Sequence, residues 1–172
     1  MLNNANVLLK KSPKEASQLL FKLEDLLRYQ INDSSKDKVL LCSDIRFLHD
    51  FLNLEKIRRD KFEYNISQEG DINKVVLPPL LFIPFVENAV KHNPDSEYES
   101  YVHLSFKVEK NELEFQCLNS KPDKSQSVPQ DRIGGLGLKN IRRRLELLYP
   151  NRHALRIEAD SYTHLTLPTT ER

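Results

Sequence analysis

Cysteine and glycine are both scarce in this chain of 172 residues, and the charges of the two signs nearly cancel. Only two cysteines are present, Cys42 and Cys117, and neither belongs to a CxxC pair. This argues against a disulfide framework and structural zinc, and it fits a reducing compartment. The 26 basic and 25 acidic residues leave a net charge of +1, so composition indicates no nucleic-acid-binding field.

Long apolar runs are absent as well. The longest, from Val75 to Val86, has twelve residues and three prolines, far short of the ~20 residues that span a bilayer. The start, MLNNANVLLKK, lacks the apolar segment and cleavage site of a secretory signal. We therefore expect a cytoplasmic chain, with any membrane anchor of the parent protein in segments outside it. The 39% of hydrophobic residues can form the core of one domain, or of a small domain with a helical arm.

The first third of the chain has helical periodicity. Ser12 and Glu15 frame a capping box around Pro13, and apolar residues then recur every three to four positions as far as Ile31. A second helix is predicted from a cap at Ser43 to about residue 59. Its predicted inner face comprises Ile45, Leu48, Leu52 and Ile57. Two such amphipathic helices form a hairpin whose apolar stripes need each other or a second copy of the chain.

From residue 62 onward the pattern alternates between strands and helices. A period of two predicts strands over 62–66, 102–108, 113–117, 155–159 and 164–167, and Val75–Leu77 is a short apolar run. A buried helix is predicted over 80–92, and a basic amphipathic helix over about 138–149. Residues 120–132 are polar and contain two prolines, which predicts a mobile loop. The order indicates an α/β unit that follows a helical hairpin, with no internal repeat.

Polar side chains with different chemistries end the helix predicted over 80–92. The pairs Glu87 and Lys91, and Asn88 and His92, are each four residues apart and project over about one face. Oxygen ligands suit Mg²⁺, which protein sites usually hold with one or two side chains plus substrate phosphates, and Lys91 suits the same phosphates. Taken alone, this motif also fits a solvated helix end with a Glu–Lys pair.

Three of the four glycines, Gly134, Gly135 and Gly137, lie just before the last predicted helix. Glycines admit an anion close to backbone amides, and a helix amino terminus attracts it. The spacing matches neither a P-loop nor a dinucleotide fingerprint, and a flexible turn that caps a helix is the alternative. The run from Arg142 to Arg144 spreads around a helix, so a solvated or packing role is favoured over a nucleic-acid stripe.

Together these blocks resemble the LytS-like sensor histidine kinases, whose ATPase domain belongs to the GHKL superfamily. LLFKLEDLLRYQI and DKVLLCSDIRFLHDFLNLEKIR are similar to the family's second dimerisation helix and linker helix. LPPLLFIPFVENAVKHN is similar to its N box, the segment at Asn119 to its first glycine box, and IGGLGLKNIRRRLELLYP to its second. The implied fold is α+β, a two-layer sandwich with a mixed sheet backed by helices, preceded by a helical hairpin.

The resemblance also implies site residues for ATP and Mg²⁺. Asn88 would be the magnesium ligand, Glu87 would position water and the metal, and Lys91 would touch phosphate. His92 would line the nucleotide site. The adenine amino group would meet Asn119, where most relatives have an aspartate, and the amide oxygen remains an acceptor. The lid that closes over the phosphates would depend on Gly135 and Gly137.

The implied function is the ATP-binding catalytic region of a two-component protein-histidine kinase. The phosphoryl group would pass to a histidine upstream of this chain and then to a response regulator, of the LytTR DNA-binding type. None of the five histidines has the family's Asn-Pro-His-Phe context, and His49 is interpreted as an ordinary, partly exposed residue. We therefore expect ATP binding without stable self-phosphorylation of this chain.

The predicted organisation is a helical arm over residues 1–60, a GHKL-type domain over 61–168 and a tail over 169–172. The arm would form a homodimer in the full-length protein. Two other functions stay open at this point. One is a non-catalytic GHKL-type module that binds a nucleotide or a partner, and the other is a helical nucleic-acid binder built on Arg142 to Arg144.

Overall fold

A computed structural model describes residues 13–32, 35–59, 61–91, 99–120, 136–158 and 161–169. Helices and strands alternate along most of this length. In chain order they are α1 Pro13–Asn32, β1 Val39–Leu40, α2 Leu41–Arg58, β2 Phe62–Glu69, a 3₁₀ turn Ile72–Lys74, β3 Val76–Leu77, α3 Ile83–Lys91, β4 Ser100–Glu109, β5 Glu112–Asn119, α4 Leu136–Leu148, β6 Ala154–Glu158 and β7 Tyr162–Pro168.

The long strands form one mixed five-stranded sheet in the order β2-β4-β5-β7-β6. Its only parallel pair is β2 with β4, and the other three pairings in this sheet are antiparallel. At the centre, Phe115 of β5 lies opposite Phe106 of β4 on one side and Leu165 of β7 on the other. A separate two-stranded ladder joins β1 to β3.

One face of the sheet is covered by helices. The alternating residues of β4, β5 and β7 that point to this face are buried, as the period of two predicts. Phe82, just before α3, packs edge-on against Phe106 at 5.1 Å between ring centroids and lies 4.7 Å from Phe115. The chain therefore has the expected α+β, two-layer architecture with a mixed sheet backed by helices.

The predicted helical hairpin is present, with two corrections to its second helix. Tyr29 of α1 stacks on Phe47 of α2 at 4.9 Å between centroids. Ser43 does not cap α2, because the helix already begins at Leu41, whose amide bonds to the carbonyl of Val75 at 2.9 Å. The β1–β3 ladder thus leads directly into the helix. The second correction concerns Ile57, which is exposed rather than on the inner face.

A tight turn after β2 depends on Gly70. Its φ of +85° lies in the region that residues with a side chain rarely adopt. A Cβ atom added there would lie 2.0 Å from the carbonyl oxygen of Val108 on the neighbouring strand β4. The backbone of this turn therefore requires glycine on two independent grounds.

Candidate functional site

Helix α3 separates an apolar face from a polar one. The apolar face is buried and comprises Ile83, Phe85, Val86, Ala89 and Val90. Glu87 and Lys91 are exposed, and Asn88 is half-buried. Pro84 lies in the first helical turn, where its missing amide costs nothing. The predicted helix thus exists but begins at Ile83 rather than residue 80, and it presents a carboxylate, an amide and an ammonium away from the core.

The surroundings of Glu87 disfavour its charge. Partial burial raises the pKa of this carboxyl above its ordinary value, since neighbouring atoms displace water from it. Among the residues that the structure describes, desolvation is the cause of the shift. A cation brought to this face would relieve that penalty.

Two side chains that are far away in the sequence form hydrogen bonds with the backbone of the turn before α3. Asp44 in the first turn of α2 accepts a hydrogen bond from the amide of Leu80 at 3.0 Å. Arg144 of α4 donates to the carbonyl oxygens of Pro79 at 2.8 Å and Leu80 at 3.4 Å. Of the three consecutive arginines, this one therefore has a packing role, as the sequence favoured, and Asp44 is a residue that sequence reasoning missed.

The other end of α3 is also held by α2. Arg59, directly after α2, donates from Nη2 to the carbonyl oxygen of Val90 at 3.1 Å. Its side chain is only 11% exposed and lies 3.4 Å from Glu55. A cation at a helix carboxyl end meets the free carbonyls and the negative end of the helix dipole. No local sequence signal points to Arg59, because its partner is 31 positions away.

Asn119 ends β5 in a buried setting. Its backbone amide bonds to the carbonyl of Ser161 at 2.9 Å, and its side-chain Nδ2 donates to the carbonyl of Ser120 at 3.0 Å. Ser120 in turn exchanges two bonds with the backbone of Tyr101 in β4. The amide nitrogen of Asn119 is thus used locally, which orients the side chain. Because α3 packs on β4 and β5, Asn119 belongs to the sheet that supports α3.

The second glycine segment leads into α4, which packs against α3. The sequence prediction placed Gly137 in the loop before the last helix. It lies instead in the first turn of that helix, which begins at Leu136. A Cβ at Gly137 would meet no atom of the described residues within 4 Å, so their packing does not demand glycine there. His92, Gly134, Gly135 and the predicted mobile loop over 120–132, apart from Ser120, lie outside the described residues.

The donor set of α3 fits magnesium better than a resident transition metal. Within the ranges that the structure describes, no group of three or more His, Cys, Asp or Glu side chains could hold a metal ion. Asn88 and Glu87 supply oxygen donors one after the other on α3. Mg²⁺ takes few protein ligands and completes its shell with water and substrate phosphates. The residues present therefore fit this ion in company with a phosphate-bearing ligand.

No helix in the described part of the chain is long and apolar enough to cross a membrane.

Comparisons with known proteins show that the chain is similar to histidine kinases. The family model described as Histidine kinase matches residues 1–62. The chain is 26% identical to the sensor histidine kinase BtsS of Escherichia coli K12 over 96% of its length. It is also 26% identical to the sensor histidine kinase/phosphatase LytS of Staphylococcus aureus over 93% of its length. The chain spans 30% of the length of each of these relatives.

Solved structures share the fold at lower sequence identity. The nucleotide-free catalytic domain of histidine kinase ThkA superposes with a TM-score of 0.56 at 15% identity, covering 77% of this chain and 95% of that domain. ThkA in complex with the response regulator protein TrrA superposes with a TM-score of 0.55 at 16% identity, covering 94% of this chain and 52% of that one. The chain is thus similar in sequence to the sensor histidine kinases BtsS and LytS, and it shares the α+β fold, with a mixed sheet backed by helices, of histidine kinase catalytic domains.

Proposed function

We propose that this chain is the ATP-binding catalytic region of a two-component sensor protein-histidine kinase. It would bind ATP with Mg²⁺ and position the γ-phosphoryl group for a histidine that precedes this segment in the parent protein. The observation that carries the proposal is the division of α3 into a buried apolar face and a polar face with Glu87, Asn88 and Lys91. Homology to BtsS and LytS over most of the chain supports it.

Each polar residue of α3 would have a separate role. The side-chain oxygen of Asn88 would bind Mg²⁺, and Glu87 would orient the water molecules around it. Lys91 would neutralise phosphate, and His92 would line the nucleotide pocket. The bound ion would supply charge neutralisation at the phosphates. The raised pKa of the Glu87 carboxyl supports this assignment, because a nearby cation removes the cost of its ionisation.

The remaining contacts to ATP would come from the sheet and from the glycine segment. The side-chain oxygen of Asn119 would accept from the adenine amino group, and the hydrogen bond from its Nδ2 to Ser120 orients the amide for this. Gly135 and Gly137 would let the segment before α4 close over the phosphates.

Phosphoryl transfer depends mainly on positioning and on charge stabilisation. This chain would supply the bound, oriented donor, and the acceptor histidine would come from the segment upstream. A response regulator would then receive the group, as the complex of ThkA with TrrA suggests for a relative of the same fold. We expect a regulator of the LytTR DNA-binding type. The parent protein would be membrane-anchored, with this region on the cytoplasmic side.

The helical arm would join two copies of the chain. Among the described side chains of α1, four large apolar residues are exposed, and three of them lie on one stripe: Leu20, Leu27 and Ile31. Together with Leu23 they line one shallow groove. A second α1 is the natural partner of such a stripe, because two amphipathic helices bury their apolar faces against each other.

Isothermal titration calorimetry with ATP, with and without Mg²⁺, tests the proposal. We expect saturable binding that is tighter when the ion is present. A non-catalytic GHKL-type module would bind nucleotide or a partner but would not phosphorylate a peptide or chain that carries the acceptor histidine. No heat with either form of ATP would contradict the proposed function.

A further inference from the structure

The buried carboxylate of Asp44 is the meeting point of four separate segments. Asp44 is only 1% exposed. Its Oδ1 accepts one hydrogen bond from the hydroxyl of Tyr29 in α1 at 2.8 Å and another from the amide of Leu80 at 3.0 Å. Arg144 of α4 binds the two carbonyls of the same turn, those of Pro79 and Leu80. Helices α1, α2 and α4 are thus tied to the turn that leads into α3.

The turn needs this fastening, because its conformation is unusual. Leu80 has a φ of +57°, in the left-handed region that residues other than glycine seldom adopt. Its amide and its carbonyl are both bound by side chains, from Asp44 and Arg144 respectively. These two partners hold the backbone of Leu80 on both sides of the residue. The conformation of residue 80 is therefore a consequence of tertiary contacts.

The turn determines how α3 begins. Two residues after Leu80, the carbonyl of Phe82 accepts the first bonds of the helix, from Phe85 at 3.0 Å and Val86 at 3.3 Å. The ring of Phe82 is fully buried against the phenylalanines of the sheet. Glu87 and Asn88 follow within the next turn of the helix. A change of backbone at Leu80 would therefore alter the direction in which α3 presents these two side chains.

Burying the carboxylate of Asp44 costs desolvation free energy, which an apolar residue of similar size would not. Desolvation raises the pKa of Asp44, and the hydrogen bond from Tyr29, the backbone amide of Leu80 and the charge of Arg144 only oppose that rise. Its second oxygen, Oδ2, is buried without a hydrogen-bond partner in the described part of the chain. Polar groups buried at such cost favour one specific arrangement over its alternatives.

We propose that Asp44 is a positioning residue that sets α3 and, through Tyr29, links the packing of the helical arm to the face of α3 that carries Glu87 and Asn88. That this face binds nucleotide rests on the proposed function. The link itself does not, because it concerns only the contacts among α1, α2, the turn and α3. Two hydrogen bonds to Oδ1 of Asp44, from Tyr29 and from the amide of Leu80, thus form a regulatory route from the arm to the site.

Hydrogen–deuterium exchange of the full chain without nucleotide tests the link. Tyr29→Phe removes one hydroxyl, and we expect exchange at residues 80–88 to become about fivefold faster, the effect of one net hydrogen bond. Asp44→Ala strands the amide of Leu80 and should accelerate the same residues more than about 30-fold. Asp44→Asn keeps an acceptor oxygen and should stay within about fivefold of the wild type.

Leu155→Ala in the edge strand β6 is the control, because it removes apolar packing from a strand that contains none of the residues that bind the turn. We expect its effect on exchange to remain in β6 and β7. Acceleration by Tyr29→Phe that is confined to α1, or equal acceleration by Asp44→Asn and Asp44→Ala, would overturn the proposal. If Asp44→Ala does not fold, Tyr29→Phe decides alone: faster exchange at residues 80–88 supports the proposal, and faster exchange confined to α1 overturns it.

A titration with ATP and Mg²⁺ separates the two proposals. If the wild type binds ATP, Tyr29→Phe should weaken binding about threefold to fivefold, and Leu155→Ala should leave it unchanged. If the wild type binds no ATP while exchange responds at residues 80–88 as expected, the proposed function fails and the positioning role of Asp44 stands. If Tyr29→Phe speeds exchange at residues 80–88 in the nucleotide-free protein but leaves the ATP affinity unchanged, the link to the site is overturned.

Discussion

Arg59 donates a hydrogen bond to the carbonyl oxygen of Val90 at 3.1 Å, so the residue that ends α2 also holds the end of α3. The same guanidinium lies beside the buried Glu55 and over the ring of Phe62, with Cζ 5.9 Å from the ring centroid. Asp44 fastens the beginning of α3 from the other end of α2. Residues at the two ends of α2 therefore hold both ends of α3, the helix that carries the candidate site.

Arg59→Ala should destabilise the fold, because it removes a charged hydrogen bond to a helix end in a mostly buried setting. We expect a loss of about 2 kcal/mol in the free energy of unfolding, measured by urea denaturation. Arg58→Ala is the matched control. Arg58 also pairs with Glu55 but is 38% exposed, and its loss should cost less than about 1 kcal/mol. Equal losses would show that the bond to Val90 contributes nothing.

Asn88→Ala should weaken the binding of ATP with Mg²⁺ more than the binding of ATP without the ion. The reason is that Asn88 is expected to supply an oxygen to Mg²⁺ and to make little contact with adenine. We expect a loss of about tenfold or more with Mg²⁺ in calorimetric titrations, in line with the removal of a hydrogen bond to a charged group. Asn65→Ala, an exposed asparagine on β2, is the control. The same loss in both conditions would make Asn88 a structural residue.

Two glutamates should respond to pH with opposite signs. Partial burial raises the folded-state pKa of Glu87 above 4.5. The contribution of Glu87 to the stability of the fold is therefore fully present below pH 4.5 and is lost as pH rises through the folded-state pKa. A hydrogen bond from Gln116 at 2.7 Å, with help from the charge of His164, lowers the pKa of Glu114. The contribution of Glu114 to the stability of the fold is present above pH 4.5 and is lost as pH falls through the lowered pKa.

Urea denaturation at several pH values checks these signs. Relative to the wild type, Glu87→Gln should gain stability between about pH 4 and pH 7, because the neutral amide has no charge to desolvate. Glu114→Gln should cost stability at about pH 7, and that cost should shrink towards about pH 3. A pH trend of the same sign in both variants would contradict the contrast between the two environments.

Replacing apolar residues of the α1 stripe should disrupt self-association of the chain. Ile31 is 71% exposed and lies one helical turn after Leu27. We expect Leu27→Asp with Ile31→Asp to weaken a dimer by more than about tenfold in sedimentation velocity, because it places charges in an apolar contact. Leu147→Asp on α4 changes an apolar residue that is 74% exposed and should have no effect. A wild type that stays monomeric at every concentration would contradict the assignment of the stripe.

Local sequence patterns predicted most elements, because burial on one face imposes its period directly on the chain. Alternation at Val102, Leu104 and Phe106 predicted β4, and these residues are buried towards the helices. The polar side chains after Phe85 predicted the exposed face of α3. The roles of Glu87, Asn88, Lys91, His92, Asn119, Gly135 and Gly137 remain predictions. Boundaries were less predictable, since α2 begins in a β1–β3 ladder of only two residues per strand.

By itself, then, the sequence determined most of the order of helices and strands and the identity of the polar residues on α3, because each depends on neighbours within a few positions. The α+β class was implied by the resemblance to a known family. Only the tertiary structure decided what holds α3 in place. Tyr29, Asp44, Leu80 and Arg144 lie in four segments as much as 115 positions apart, yet they share one buried junction. A buried carboxylate and a left-handed leucine are each unfavourable alone, and they become stable only where folding supplies both hydrogen-bond partners at once.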